Sequence, residues 1–173
     1  MTFERILLVG QAPNQHGDPR RPLVGGRTGT KIQTLAGLDL REYARTFDLV
    51  NLLSGWEGKD GNGDAFDLAR AKVATRALLR SRTNRAIILV GRAVADAFGV
   101  PGTRPYLAWF LHEGRAMAIL PHTSGVNRWW NDPENEKAAE IFLRAAVKTA
   151  AEEPPGNRVW DANQATWVKR RRR

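Results

Sequence analysis

The sequence predicts an α/β protein with three layers, α/β/α, around a four-stranded, mainly parallel central sheet. Three observations carry this. Short apolar runs recur at Arg5–Val9, Leu49–Leu53, Ala86–Val90 and Arg115–Leu120, and such runs suit strands buried on both faces. Stretches with helical spacing lie between them, and strand–helix alternation implies parallel strands covered on both sides. Polar turns rich in Gly and Pro directly follow two of the runs. In such sheets ligands bind at the rim formed by strand C-terminal ends.

Taken in order, Arg5–Val9 is a buried strand, and Gly10–Gly29 is a long loop of Gly, Pro and Arg. Loops of that length in compact domains are usually functional. Thr28 or Thr30 caps a helix through about Leu35, which Gly37 ends; Asp39 caps a short helix to Arg45. Leu49–Leu53 is the second strand, interrupted by Asn51. Ser54–Asp64 is a second loop, with Trp56 and four glycines. Phe66–Leu79 has amphipathic spacing that turns Leu68, Ala71, Val73, Ala77 and Leu78 inward. Ala86–Val90 is the third strand, and Arg92–Phe98 a helix between Gly91 and Gly99. Tyr106–Leu111 and Arg115–Leu120 pair around His112-Glu113-Gly114. Pro133 opens a long helix to about Glu152, with Asp132 as cap. Residues 1–152 form one domain, and residues 153–173 a basic tail or arm.

The chain has 173 residues, enough to bury a core without staples, and no cysteine. This excludes disulfides, zinc–thiolate sites, iron–sulfur clusters and cysteine nucleophiles. The net charge is +9, which favours a polyanionic partner such as nucleic acid. Lys169 to Arg173 supply five of the positive charges and suit a non-specific electrostatic tether. No stretch approaches the roughly 20 apolar residues of a membrane helix. The N-terminal residues lack a secretory pattern, so the expectation is a cytoplasmic monomer with no membrane contact.

Gly25–Lys31 is not a Walker loop, because Thr30 separates Gly29 from Lys31 and Ile32 follows. Those glycines instead let backbone approach a ligand. Two distant loops carry the chemistry. Gly10-Gln11-Ala12-Pro13-Asn14 follows the first strand, and Pro121-His122-Thr123-Ser124-Gly125-Val126-Asn127-Arg128 follows the last. On one rim they form a single site with a histidine, amides, a hydroxyl and an arginine. Small donors such as Ser124 and Gly125 suit phosphates, and Val126 is a wedge of the kind that fills the gap left by an extruded base. Asn51 offers a donor and an acceptor side by side, matching the O4/N3–H edge of a uracil-type base. Trp129-Trp130 anchors the second loop to the body.

Together these segments resemble the two signature motifs of the uracil-DNA glycosylase superfamily. Arg21–Gly29 resembles its segment before the first helix, Leu49-Val50-Asn51 its second strand, and Ala86–Phe98 its third strand and following helix. Ser124–Arg128 is similar to the loop of the mismatch-specific branch, and His16-Gly17 to another prokaryotic branch. The resemblance spans roughly residues 5–147 and implies that superfamily's fold. It implies that His122 stabilises the leaving base as an anion, with Gln11 and Asn14 of the first loop in the catalytic set. Ala12, Leu23 and Asn51 would hold the base. Ser124, Gly125, Val126, Asn127, Arg128 and Arg27 would contact DNA, single- or double-stranded. No metal or organic cofactor is implied.

Several positions depart from the family pattern. Gln11 and Ala12 stand where many members carry an acid or Asn that positions water; Asn14 or Asp18 substitutes, or stabilisation of the leaving base dominates. Leu23 replaces a stacking aromatic, and Thr123 a proline. The function expected is a monofunctional DNA glycosylase acting on uracil or a modified pyrimidine. The alternatives are a non-catalytic DNA- or nucleotide-binding member of the fold, a glycosylase for a bulky hypermodified base in phage DNA, and another small nucleotide hydrolase.

Overall fold

The computed structural model describes residues 5–125, 127–152, 158–161 and 166–169. Strand β1 (Ile6–Gly10) leads through a long loop to α1 (Gly26–Ala36), α2 (Leu40–Thr46) and β2 (Phe47–Asn51). A small hairpin of β3 (Lys59–Asp60) and β4 (Gly63–Asp64) precedes α3 (Leu68–Ser81). Then come β5 (Ala86–Val90), α4 (Arg92–Ala97), β6 (Phe110–His112) and β7 (Arg115–Leu120). A 3-10 turn (Arg128–Asn131) opens into α5 (Pro133–Glu152). Two further strands, β8 (Arg158–Asp161) and β9 (Thr166–Lys169), pair antiparallel within the segment expected to be a tail.

The protein is α/β, built on a mixed sheet of order β2-β1-β5-β7-β6. The first four strands are mutually parallel, and β6 joins antiparallel to β7. Side chains alternate across the sheet. Leu7, Val9, Ile87 and Leu89 pack with Ala71 of α3 and Val94 of α4. Ile6, Leu8, Ile88 and Val90 pack with Ile32 of α1, Tyr43 of α2 and Leu143 of α5. Helices therefore cover both faces. Among the described residues, no helix is long and apolar enough to cross a membrane.

Several sequence expectations hold. β5 spans the expected residues, and α5 begins at Pro133. Gly37 ends α1 in the left-handed conformation, and Asp39 forms a reciprocal capping box with Glu42. Others need correction. The sheet has five strands, not four. Leu107 takes a left-handed φ of +58°, so Tyr106–Trp109 is not extended into the sheet. Only Phe110–His112 folds back on β7, across Glu113-Gly114, where both residues have positive φ and match the strand twist.

The cap of α1 is Gly25, not Thr28 or Thr30. Gly25 and Gly26 have φ of +67° and +60°, which turns the chain into the helix two residues before Thr28. β2 lies two residues earlier than the apolar run suggests. α2 runs into it without a loop, and Phe47 pairs with Ile6. α3 turns Ala71 and, in part, Leu78 inward as expected, but Leu68, Val73 and Ala77 lie outward. Ala71 and Thr75 are buried, whereas Val73 is 64% exposed and Leu68 37%. Small side chains let α3 approach α4 and the sheet, and that close fit outweighs burial of the larger residues.

Gly29 ties α1 to the loop before it. A Cβ there would overlap the Leu23 carbonyl oxygen and crowd its carbon at 2.7 Å. Both are backbone, which cannot move aside cheaply. Gly29→Ala is expected to lower stability by about 1–3 kcal/mol, read as a lower urea midpoint; an unchanged midpoint would contradict this packing.

Candidate functional site

β1 lies between β2 and β5, so the chain leaves the sheet centre in opposite directions, and a crevice opens outside the strand C-terminal ends. A cleft of about 370 Å³ occupies this place. It is lined by Gly10–Asn14 after β1, Asn51 at the end of β2, His122 after β7, and Trp56 and Asp64 from the segment around the β3–β4 hairpin. Asn51 and His122, 71 positions apart, thus line one opening. The first loop singled out by sequence lines this cleft throughout, whereas the second reaches it, among the described residues, through His122 and not through Ser124, Gly125, Asn127 or Arg128.

The rim is tied at both ends. Leu52 donates to the Gly10 carbonyl at 3.0 Å and Leu53 to the Gln11 carbonyl at 2.9 Å, extending the β1–β2 pairing beyond the strands. Gly91 donates to the Leu120 carbonyl at 2.8 Å, joining the ends of β5 and β7. Gly91 has a φ of +100°, and a Cβ there would stand 3.1 Å from the His122 Cβ. Gly10 is equally constrained, because a Cβ would overlap Asn51 Oδ1 and sit 2.9 Å from Leu23. Glycine at these two positions makes room for the two side chains that define the site.

Asn51 Oδ1 is buried and has no hydrogen-bond partner. A buried acceptor without a donor costs about 1–3 kcal/mol. It lines the cleft beside Gly10, where an incoming N–H would satisfy it. His122 is half-buried, and its Nδ1 accepts from the Ser124 main-chain N–H at 3.2 Å. In a neutral ring this leaves the proton on Nε2. Burial lowers the His122 pKa below the ordinary value of 6.5, and the Asp64 carboxylate opposes that shift. The ring is therefore a neutral donor through Nε2 at physiological pH.

The His122 backbone is fixed as firmly. Its carbonyl accepts from Asn127 Nδ2 at 2.7 Å and from Trp130 Nε1 at 2.9 Å. Asn127 Oδ1 also accepts from the Trp129 N–H at 3.1 Å, so both amide atoms of Asn127 serve the loop. Trp129 and Trp130 meet edge to face at 4.7 Å and pack on the α1–α5 side of the core. Lys31 lies over Trp130 at 4.3 Å and pairs with Glu136 at 2.9 Å. The tryptophans anchor this loop, as expected.

The remaining expected residues divide. Gln11, Ala12, Asn14, Leu23 and Arg27 line the cleft. Asn14 Oδ1 is engaged with the His16 N–H at 2.9 Å, bracing its own loop. Leu23 adopts a φ of +54° and packs partly against the core. Arg27 touches Gly125, joining the start of α1 to the His122 loop. Ser124 is half-buried, whereas Gly125 and Arg128 are exposed. Val126 lies outside the described residues. Sequence reasoning missed Trp56 and Asp64, because no periodicity or motif marks a short hairpin inside a glycine-rich loop. Asp18 and Arg21 of the first loop also line the cleft. Among the described residues, no group of three or more His, Asp or Glu side chains is placed to hold a metal ion.

No protein-family model and no curated protein matches the chain.

The sign of the His122 shift gives a direct test. An NMR titration is expected to place its midpoint below 6.5. Asp64→Asn removes the charge that raises it and is expected to lower the midpoint further. Because the unfolded histidine binds a proton at higher pH than the native one, its contribution to stability is present above 6.5 and lost as pH falls through the native midpoint. A midpoint at or above 6.5 would contradict the burial described.

Proposed function

We propose that the protein is a monofunctional DNA glycosylase that hydrolyses the N-glycosidic bond of uracil or a modified pyrimidine flipped out of DNA. The observation that carries this reading is the meeting of two groups in one cleft: the partnerless buried Oδ1 of Asn51 and the neutral imidazole of His122. The first is free to accept an N–H from a ligand. The second offers an N–H to it. A pyrimidine imide edge carries such an N–H flanked by carbonyl oxygens, and its O2 gains charge when the bond to the sugar breaks.

Cleavage passes through an oxocarbenium-like state, with the electron pair of the C1′–N bond moving to the base. A fixed donor at the oxygen where this charge appears is worth roughly 3 kcal/mol. A neutral imidazole suits that task, since its hydrogen bond strengthens as the charge develops. The Gly10–Asn14 loop would lie against the base and sugar. Arg27 and Gly125, in contact at the mouth, suit the flanking phosphates, and a net charge of +9 favours the polyanion as a whole. The sequence resemblance to the uracil-DNA glycosylase superfamily supports this reading, since it implies such a fold and site. A non-catalytic DNA-binding member of that fold is the alternative, since the first loop carries Gln11 and Ala12 where an acid would stand.

The protein is incubated with oligonucleotides carrying uracil, 5-hydroxymethyluracil or glucosylated 5-hydroxymethylcytosine, then treated with alkali. Strand breaks at the modified position are expected. His122→Ala is expected to slow the single-turnover step by roughly 10²–10³-fold, and Asn51→Ala to weaken base selection. Binding without breaks, unaffected by His122→Ala, would favour the non-catalytic reading.

A further inference from the structure

Hydrolysis needs an acceptor for the proton of the attacking water, and neither Gln11 nor Ala12 can serve. Resting on the glycosylase reading, we propose that Asp64 is the carboxylate that orients this water and takes its proton.

Two carboxylates line the cleft, Asp18 and Asp64. Asp18 is spent on Arg20. Its Oδ1 accepts from the Arg20 main-chain N–H at 2.9 Å and from Nε at 3.1 Å, and its Oδ2 from Nη2 at 3.3 Å. Asp64 is held from one side. Lys59 Nζ donates to Oδ1 at 2.7 Å, and Trp56 Nε1 to the same oxygen at 3.2 Å. Among the described residues both hydrogen bonds to Asp64 thus end on Oδ1, and Oδ2 is left for a water. Lys59 and Asp64 are also cross-strand partners in the β3–β4 hairpin, so the backbone register itself holds the pair together.

These partners keep the carboxyl ionised, its pKa below the ordinary carboxylate value, so it accepts a hydrogen bond from the water. Asp64 and His122 line the same cleft, which therefore holds both a carboxylate and a neutral N–H donor. That polarity matches the reaction, in which the sugar becomes positive and the base negative. As the C1′–N bond breaks, its electron pair leaves with the base and His122 stabilises the anion. The water oxygen forms the new bond to C1′, and its proton passes to Asp64. That proton later returns to the base anion or to solvent, which closes the balance as sugar hydroxyl plus free base.

The test uses the full chain and whichever of the three modified oligonucleotides above it cleaves. Asp64→Asn is expected to cut the single-turnover rate by about 10²-fold or more, with the oligonucleotide dissociation constant within about threefold of wild type. Asp64→Ala is expected to regain part of the lost rate in sodium formate, whereas a purely structural role gives no such rescue. Lys59→Gln is expected to give a smaller loss, because Trp56 still holds Oδ1. Thermal melting of each variant separates lost chemistry from lost fold. An Asp64→Asn variant that melts normally and cleaves at the wild-type rate would overturn the role of Asp64 while leaving the glycosylase reading intact. Absence of cleavage by wild-type protein on all three oligonucleotides would overturn both.

Discussion

The parallel register of β1 between β2 and β5 is the constraint on which the rest of the site depends. Pairing Gly10 with Asn51 and Val90 with Leu120 sends four chain segments to one edge of the sheet. Each must turn there, and the turns become neighbours whatever their distance in sequence. The central strands β1 and β5 carry no polar side chain on either face, since helices cover both sides. Polar chemistry is then excluded from the sheet centre and collects at the rim, where backbone groups at strand ends and side chains just beyond them face water.

Close approach at that rim has a local cost, and glycine absorbs it. Gly10 yields its side-chain space to Asn51, and Gly91 yields to His122. Gly29 yields to the Leu23 carbonyl, which lets the first loop lie flat on α1. The result is a cleft whose floor carries an unsatisfied acceptor. A folded protein that leaves a buried oxygen without a donor gives up stability unless a ligand supplies one. The two tryptophans after the His122 loop work in the opposite sense. Trp130 and Asn127 together saturate the His122 carbonyl, Trp129 packs against Trp130, and the ring is left to act.

The electrostatics of the cleft follow from how each group is held. Burial keeps His122 neutral, while the hairpin brings to the same cleft an ionised carboxylate paired with a lysine. On the proposed reading these two groups anticipate the charge separation of a breaking glycosidic bond. The basic surplus of the chain acts at longer range, drawing a polyanion toward the rim without choosing where it binds. Affinity and chemistry thus reside in different residues.

The amino-acid pattern was sufficient for β5 and for the cap of α2, because those depend on local physics. An unbroken run such as Ala86–Val90 has no stable place except a doubly covered strand, and Asp39 with Glu42 closes its own helix start. It was sufficient also to bring the loops at Gly10 and Pro121 to one rim, since parallel strands end together. It was insufficient wherever packing partners compete. The outward turn of Val73 and Leu68 depends on how close the small residues let α3 approach, which is set by α4 and the sheet. The place of Asp64 in the cleft depends on a two-residue hairpin folding over a glycine-rich loop, a contact with no periodic signature. Local spacing fixes which elements form, and only the assembled surfaces fix which side chains they bring face to face.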